Sequence, residues 1–164
     1  MLNSKMLLIL ILFFGGFLFS SLAQNEMAVI KKLSKGADVI LTGKVTKQNS
    51  SWNENKTRIY TKATLQVDEY LKGNNNVNSV EVVYPGGEVG DVGELYSHMP
   101  RFTNDEQVLV FLKKDQKNKE YKVLDGEEGK ISVINDSKTG EKITSSNIKI
   151  SHLKAQIKSY LKEK

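Results

Sequence analysis

From Thr57 to Tyr70 the chain alternates apolar and polar residues for longer than anywhere else, and this alternation limits the fold more than any other feature. Ile59, Thr61, Ala63, Leu65 and Val67 fall on one face; Tyr60, Lys62, Thr64, Gln66 and Asp68 fall on the other. Successive side chains of a strand point to opposite faces, so the pattern predicts one long strand with Leu65 and Val67 inward and Gln66 and Asp68 in solvent. Strands twist, and one this long curls as the wall of a small barrel does.

The rest of the chain supplies partners for it. Asp38 to Thr46 alternates as well, and Gly43 inside it marks a bulge or a close backbone approach. Gln48 to Asn55 reads as a polar turn holding Trp52. Ser79 to Tyr84, Gln107 to Leu112, Tyr121 to Leu124 and Lys130 to Ile134 read as shorter strands separated by polar turns. Glu88 to His98 has no clean period and predicts a long connection or irregular hairpin, and Asn135 to Lys142 reads as a polar loop. Met27, Ile30 and Leu33 recur at helical spacing, which predicts a helix over Asn25 to Ser34 stopped by Gly36 as an αL cap. Leu153, Ile157 and Leu161 predict a terminal helix from about His152, with Ser151 as its N-cap. The fold class is α+β and mainly antiparallel β. A partly open OB-like barrel with a short helix at each end fits the unequal strands, and a two-sheet β-sandwich is the alternative.

Size and composition fit one such domain. Lys5 followed by the apolar run Met6 to Phe19 and the small residues Ser21 and Ala23 has the form of a cleaved signal peptide over residues 1–23. The run is shorter than the roughly 20 apolar residues a membrane span needs. Residues 24–164 then form the mature domain, secreted or periplasmic, meeting the membrane only through the signal segment during export. It has no cysteine, so its stability rests on its core, and thiol catalysis and thiolate metal sites are excluded. The net charge of +5 is spread along the chain with acids nearby, which argues against a nucleic-acid partner.

Candidate chemistry gathers between Pro85 and Phe102. Pro85, Gly86, Gly87 and Glu88 make a tight turn, either a plain connection or a loop whose N–H groups face a ligand. Glu88, Asp91 and Glu94 are carboxylates on a Gly-containing loop, suited in kind to a hard cation, but their spacing matches no calcium loop. His98 could complete a site with Glu88 or Asp91, whereas His152 reads as a surface residue. Arg101 is either an anchor for a carboxylate on a partner or an internal clamp paired with Glu88 or Asp105, with Phe102 packing the loop onto the domain. Trp52 is a barrel-end plug or, beside an exposed Tyr60, a binding hot spot. No motif for a catalytic set, a resident metal or a cofactor is present.

Ala37 to Val45, Ile59-Tyr60-Thr61, Leu65-Gln66-Val67, Leu71-Lys72-Gly73, Pro85-Gly86-Gly87-Glu88, Pro100-Arg101-Phe102 and Val108 to Leu112 together resemble an uncharacterised group of exported bacterial domains. The first half is also similar to the netrin-like modules, tissue inhibitors of metalloproteinases among them, and that resemblance implies an OB-type barrel. Those inhibitors chelate a protease zinc through an N-terminal cysteine, which this chain lacks, so no functional residue carries over. The expectation is a secreted, non-catalytic domain that binds a protein or other macromolecule through its loops. A cysteine-free protease inhibitor and an enzyme using the Glu88–His98 loop are the alternatives.

Overall fold

The computed structural model describes residues 26–73, 76–116 and 120–163. The chain forms two compact units, residues 1–32 and 33–164. Helix α1 covers residues 26–36, and the signal segment 1–23 lies outside the described residues. Everything below concerns the unit from residue 33.

Two 14-residue strands, β1 (Val39–Trp52) and β2 (Ile59–Lys72), pair antiparallel along their whole length. β3 (Ser79–Pro85) continues the meander beside β2. A small hairpin of β4 (Gly87–Val89) and β5 (Val92–Glu94) follows. β6 (Gln107–Lys114) then returns to pair with the start of β1, and β7 (Tyr121–Val123) joins β6 to β3. The circuit β1–β2–β3–β7–β6–β1 is a closed five-stranded barrel in which only the β3–β7 contact is parallel. The arrangement is OB-like, as the strand pattern predicts, but the barrel is closed rather than partly open, because β6 returns to pair with β1.

β7 and β8 (Lys130–Asn135) occupy the same edge of β6. Leu112 pairs with Val123 while Gln107 pairs with Val133, so partner positions shift by five residues between them. The insertion is a left-handed Asp125 and the 3₁₀ turn Gly126–Gly129. β9 (Lys142–Thr144) extends the sheet beside β8, starting at the last residue of the expected polar loop Asn135–Lys142, where no strand was expected.

Three register shifts between β1 and β2 bend the pair. One falls between Thr42 and Gly43, and a Cβ at Gly43 would collide with the carbonyl oxygen of Gln66. The glycine is there because the two backbones nearly touch. β1 also runs through the expected polar turn to Trp52, leaving the true turn at residues 53–58, where Asn53 Oδ1 accepts from the amides of Thr57 and Arg58.

The barrel interior holds Val39, Leu41 and Val45 of β1, Ala63 and Leu65 of β2, Val82 and Tyr84 of β3, Val110 and Leu112 of β6, and Phe102. Val67 is only partly buried at its edge, and Gln66 and Asp68 face solvent. The alternate residues Ile40, Thr42, Leu109 and Phe111 point outward yet are also buried. Other buried apolar residues outside the interior cluster include Leu33 of α1 and Leu153 and Ile157 of helix α2 (Ile150–Lys162).

Both helix ends differ from expectation. Gly36 takes no left-handed conformation and lies inside α1, where a Cβ would press on Leu124. The terminal carbonyls are instead met by lysines: Lys72 Nζ donates to Ser34 O (3.0 Å) and Lys35 O (3.1 Å), and Lys113 Nζ to Gly36 O (3.2 Å). Cations suit a helix C-terminus because they satisfy carbonyls and oppose the dipole. At α2 the N-cap is Lys149, which offers no side-chain acceptor, and Ser151 is already inside the helix.

Candidate functional site

Pro85 ends β3, and the two glycines after it turn the chain back across the barrel wall. Gly86 and Gly87 have φ of 99° and 129°, conformations that L side chains avoid. The Gly86 amide donates to Ile59 O at 2.8 Å, and the Gly86 carbonyl accepts from Thr61 Oγ1 at 2.6 Å. Thr61 has one proton and spends it there, so in its 2.8 Å contact with Ser50 Oγ the serine is the donor. A Cβ at Gly87 would strike both hydroxyls. Thus the turn is seated on a short hydroxyl relay and cannot take a larger residue.

The hairpin beyond it is fixed by Glu94. Its Oε2 accepts from the Ile59 amide (3.0 Å) and from Tyr96 Oη (2.9 Å). The second bond stabilises the neutral phenol and pushes the Tyr96 pKa up, and the Arg58 guanidinium stacks 5.7 Å from the Tyr96 ring centroid. The other wall is built around Phe102, which is buried with its ring 5.5 Å from that of Tyr84. Burial pushes the Tyr84 phenol up, and its hydroxyl donates to Gln48 Oε1 at 2.8 Å. Lys130 Nζ lies 5.4 Å from the Phe102 ring centroid and 2.6 Å from Glu106 Oε1. Glu106 also accepts from Ser132 Oγ (2.6 Å) and from the Thr103 amide (3.0 Å), so one carboxylate anchors the segment after Phe102.

Between these walls lies an open groove of about 680 Å³. Pro85, Gly86, Gly87, Glu88, Arg101 and Phe102, all singled out from the sequence, line it. An adjoining hollow of about 450 Å³ is lined by His98, Glu127 and Lys130 and shares Tyr96, Met99, Pro100 and Arg101 with the groove. Trp52 lines neither; it is half-buried at the end of β1, opposite Ile59.

Two expected pairings are not formed. Arg101 is exposed and makes no ion pair or hydrogen bond among the described residues; Asp105 pairs with Lys44 at 2.6 Å, and Glu88 does not pair with Arg101. The internal-clamp reading of Arg101 is therefore wrong, while Phe102 does pack the loop down. His98 meets Glu127 at 3.1 Å rather than Glu88 or Asp91. Its backbone is left-handed (φ 59°), and its carbonyl accepts from the Glu127 amide at 3.0 Å. Glu88 and Glu94 lie at alternate positions of the hairpin and Asp91 at its tip, so they do not converge. Among the described residues no cluster of three or more acidic or histidine side chains could hold a metal ion.

The sequence reading missed the apolar rim. Leu95 is 72 % exposed and Met99 37 %, large side chains left in water in the groove that Arg101 also lines. Their signal was available as Leu95, Tyr96 and Met99 close together within a loop rich in glycine and acidic residues. In comparison with known proteins, no family model and no curated protein matches this chain.

Proposed function

We propose that this is a secreted or periplasmic, non-catalytic binding domain whose groove receives a segment of another protein. The observation that carries the reading is the rim itself. Leu95 and Met99 stay exposed where they line the groove, and Arg101, which lines it too, has no ion pair or hydrogen bond among the described residues. Exposed apolar residues beside a planar cation suit a partner that brings an apolar side chain and a carboxylate. The Gly86–Gly87 turn and the Glu94 and Glu106 anchors hold the walls in place before binding, which lowers the ordering cost. The export pattern of residues 1–23 supports the location, and intact mass of the protein from its native host checks it: a mature chain starting near Gln24 is expected.

Selection of a random peptide library on the purified domain tests the binding function. Enriched peptides should carry an acidic residue near an apolar one. They should lose at least tenfold in affinity on a Leu95→Ser, Arg101→Glu variant. No enrichment, or peptides that bind the variant equally well, would overturn the reading.

A further inference from the structure

Away from the groove, Thr42 stands on the outer face of β1 beneath α2. It is 6 % exposed, and its Oγ1 is buried without a hydrogen-bond partner among the described residues. Buried hydroxyls are nearly always satisfied, so an orphan calls for a reason. Thr42 lines a cleft of about 280 Å³ whose other walls include Glu69 of β2, Gln107 of β6, Lys142 of β9, and Ile150 and Lys154 at the start of α2. Helix α2 is 13 residues long, and its first turn has neither a capping side chain nor an acidic residue. Its leading N–H groups therefore keep their partial positive charge.

We propose that this cleft binds a small oxyanion, a phosphate or a carboxylate group. Thr42 Oγ1 supplies a neutral donor from the floor, and the uncapped turn of α2 supplies the favourable dipole at the rim. Among the described residues Lys142 Nζ donates to Gln107 Oε1, at 3.4 Å, and to no other group, so it keeps donors to spare. Lys154 and Lys158 each hold one oxygen of Glu69 at 2.9 Å, so the Glu69 charge is opposed by two ammonium groups. That leaves Asp68, the extra residue of the bulge opposite Thr42–Gly43, as the acidic group lining the cleft that has no ion pair among the described residues. Asp68 is exposed, and solvent screens it.

Calorimetric titration of the purified protein with inorganic phosphate, at constant ionic strength set by chloride, tests the site. Acetate in a parallel arm separates phosphate from carboxylate recognition. Saturable binding of at least one of the two is expected. Thr42→Val, which keeps the shape and removes the donor, should weaken it at least fivefold. Asp68→Asn should tighten it about twofold or more, an effect no purely structural role of Asp68 produces. Non-saturable heats with both anions, or equal affinity in Thr42→Val, would overturn the proposal. Weaker binding in Asp68→Asn would overturn it too, because the ligand would then be cationic. A Thr42→Val protein that melts higher, beside a wild type that binds neither anion, would show the hydroxyl to be merely buried. The groove is untouched by these variants, so either site can fail alone.

Discussion

Glu94 Oε2 accepts the backbone N–H of Ile59 at 3.0 Å, across 35 residues of chain. The bond ties the β4–β5 hairpin to the first residue of β2, so the near wall of the groove moves with the barrel. Ile59 is fully buried, and its amide would otherwise face the interior of that junction. Glu94→Ala should cost about 1–3 kcal/mol, the usual effect of leaving a part-buried donor without its charged acceptor. Hydrogen exchange checks the location of the effect: the Ile59 and Gly86 amides should exchange faster while β6 is unchanged. A second readout is the Tyr96 phenol, whose pKa should fall back toward that of a free tyrosine once the carboxylate is gone.

Acid should unfold the protein partly through Asp38 and Glu69. Lys113 and the Lys114 amide hold the Asp38 carboxylate below its ordinary range, and Lys158 and Lys154 do the same for Glu69. A carboxyl whose folded pKa is depressed contributes stability above its unfolded value. That stability is lost as pH falls through the folded value, here below about pH 4. Both side chains are about two-fifths exposed, so each contributes less than about 1 kcal/mol. Asp38→Asn and Glu69→Gln should each lower stability slightly at pH 7 and flatten its decline between about pH 5 and 2, measured in urea melts at stepped pH.

Gly43 offers a sharper test of the barrel. Gly43→Ala places a methyl group against the Gln66 carbonyl at a bulge, where backbone must shift to admit it. A loss of about 3 kcal/mol is expected, at the upper end of ordinary overpacking, although alanine usually suits a strand better than glycine. An unchanged denaturation midpoint would mean that the two strands do not approach as described.

Much of the barrel was legible because its determinants are local. Alternation from Ile59 to Val67 fixes the face of each residue, and a glycine amid the alternation of β1 marked the close approach at Gly43. The joining of β7 and β8 along one edge of β6 was not legible, since the 125–129 insertion looks like any loop until β6 is seen spanning it. β9 was hidden by its length of three residues. At the groove, Pro85, Gly86, Gly87 and Phe102 announced themselves by backbone chemistry and size. That Arg101 stays unpaired among the described residues and that His98 meets Glu127 could not be read, because Lys44 competes for Asp105 and Glu127 arrives from 29 residues away.

Arg101 separates stability from recognition. With no ion pair or hydrogen bond to lose among the described residues, Arg101→Lys should leave the unfolding free energy within about 0.5 kcal/mol of wild type, as for other surface changes. The same change should weaken a groove-bound acidic peptide several-fold, because an ammonium cannot reproduce the two parallel bonds a guanidinium gives a carboxylate. Leu95→Ser should behave alike, costing little stability at 72 % exposure but removing an apolar contact from the rim. Paired melts and peptide titrations of the two variants decide the matter. A clear loss of stability on Arg101→Lys would show that the arginine serves the fold, and the case for a carboxylate anchor would go with it.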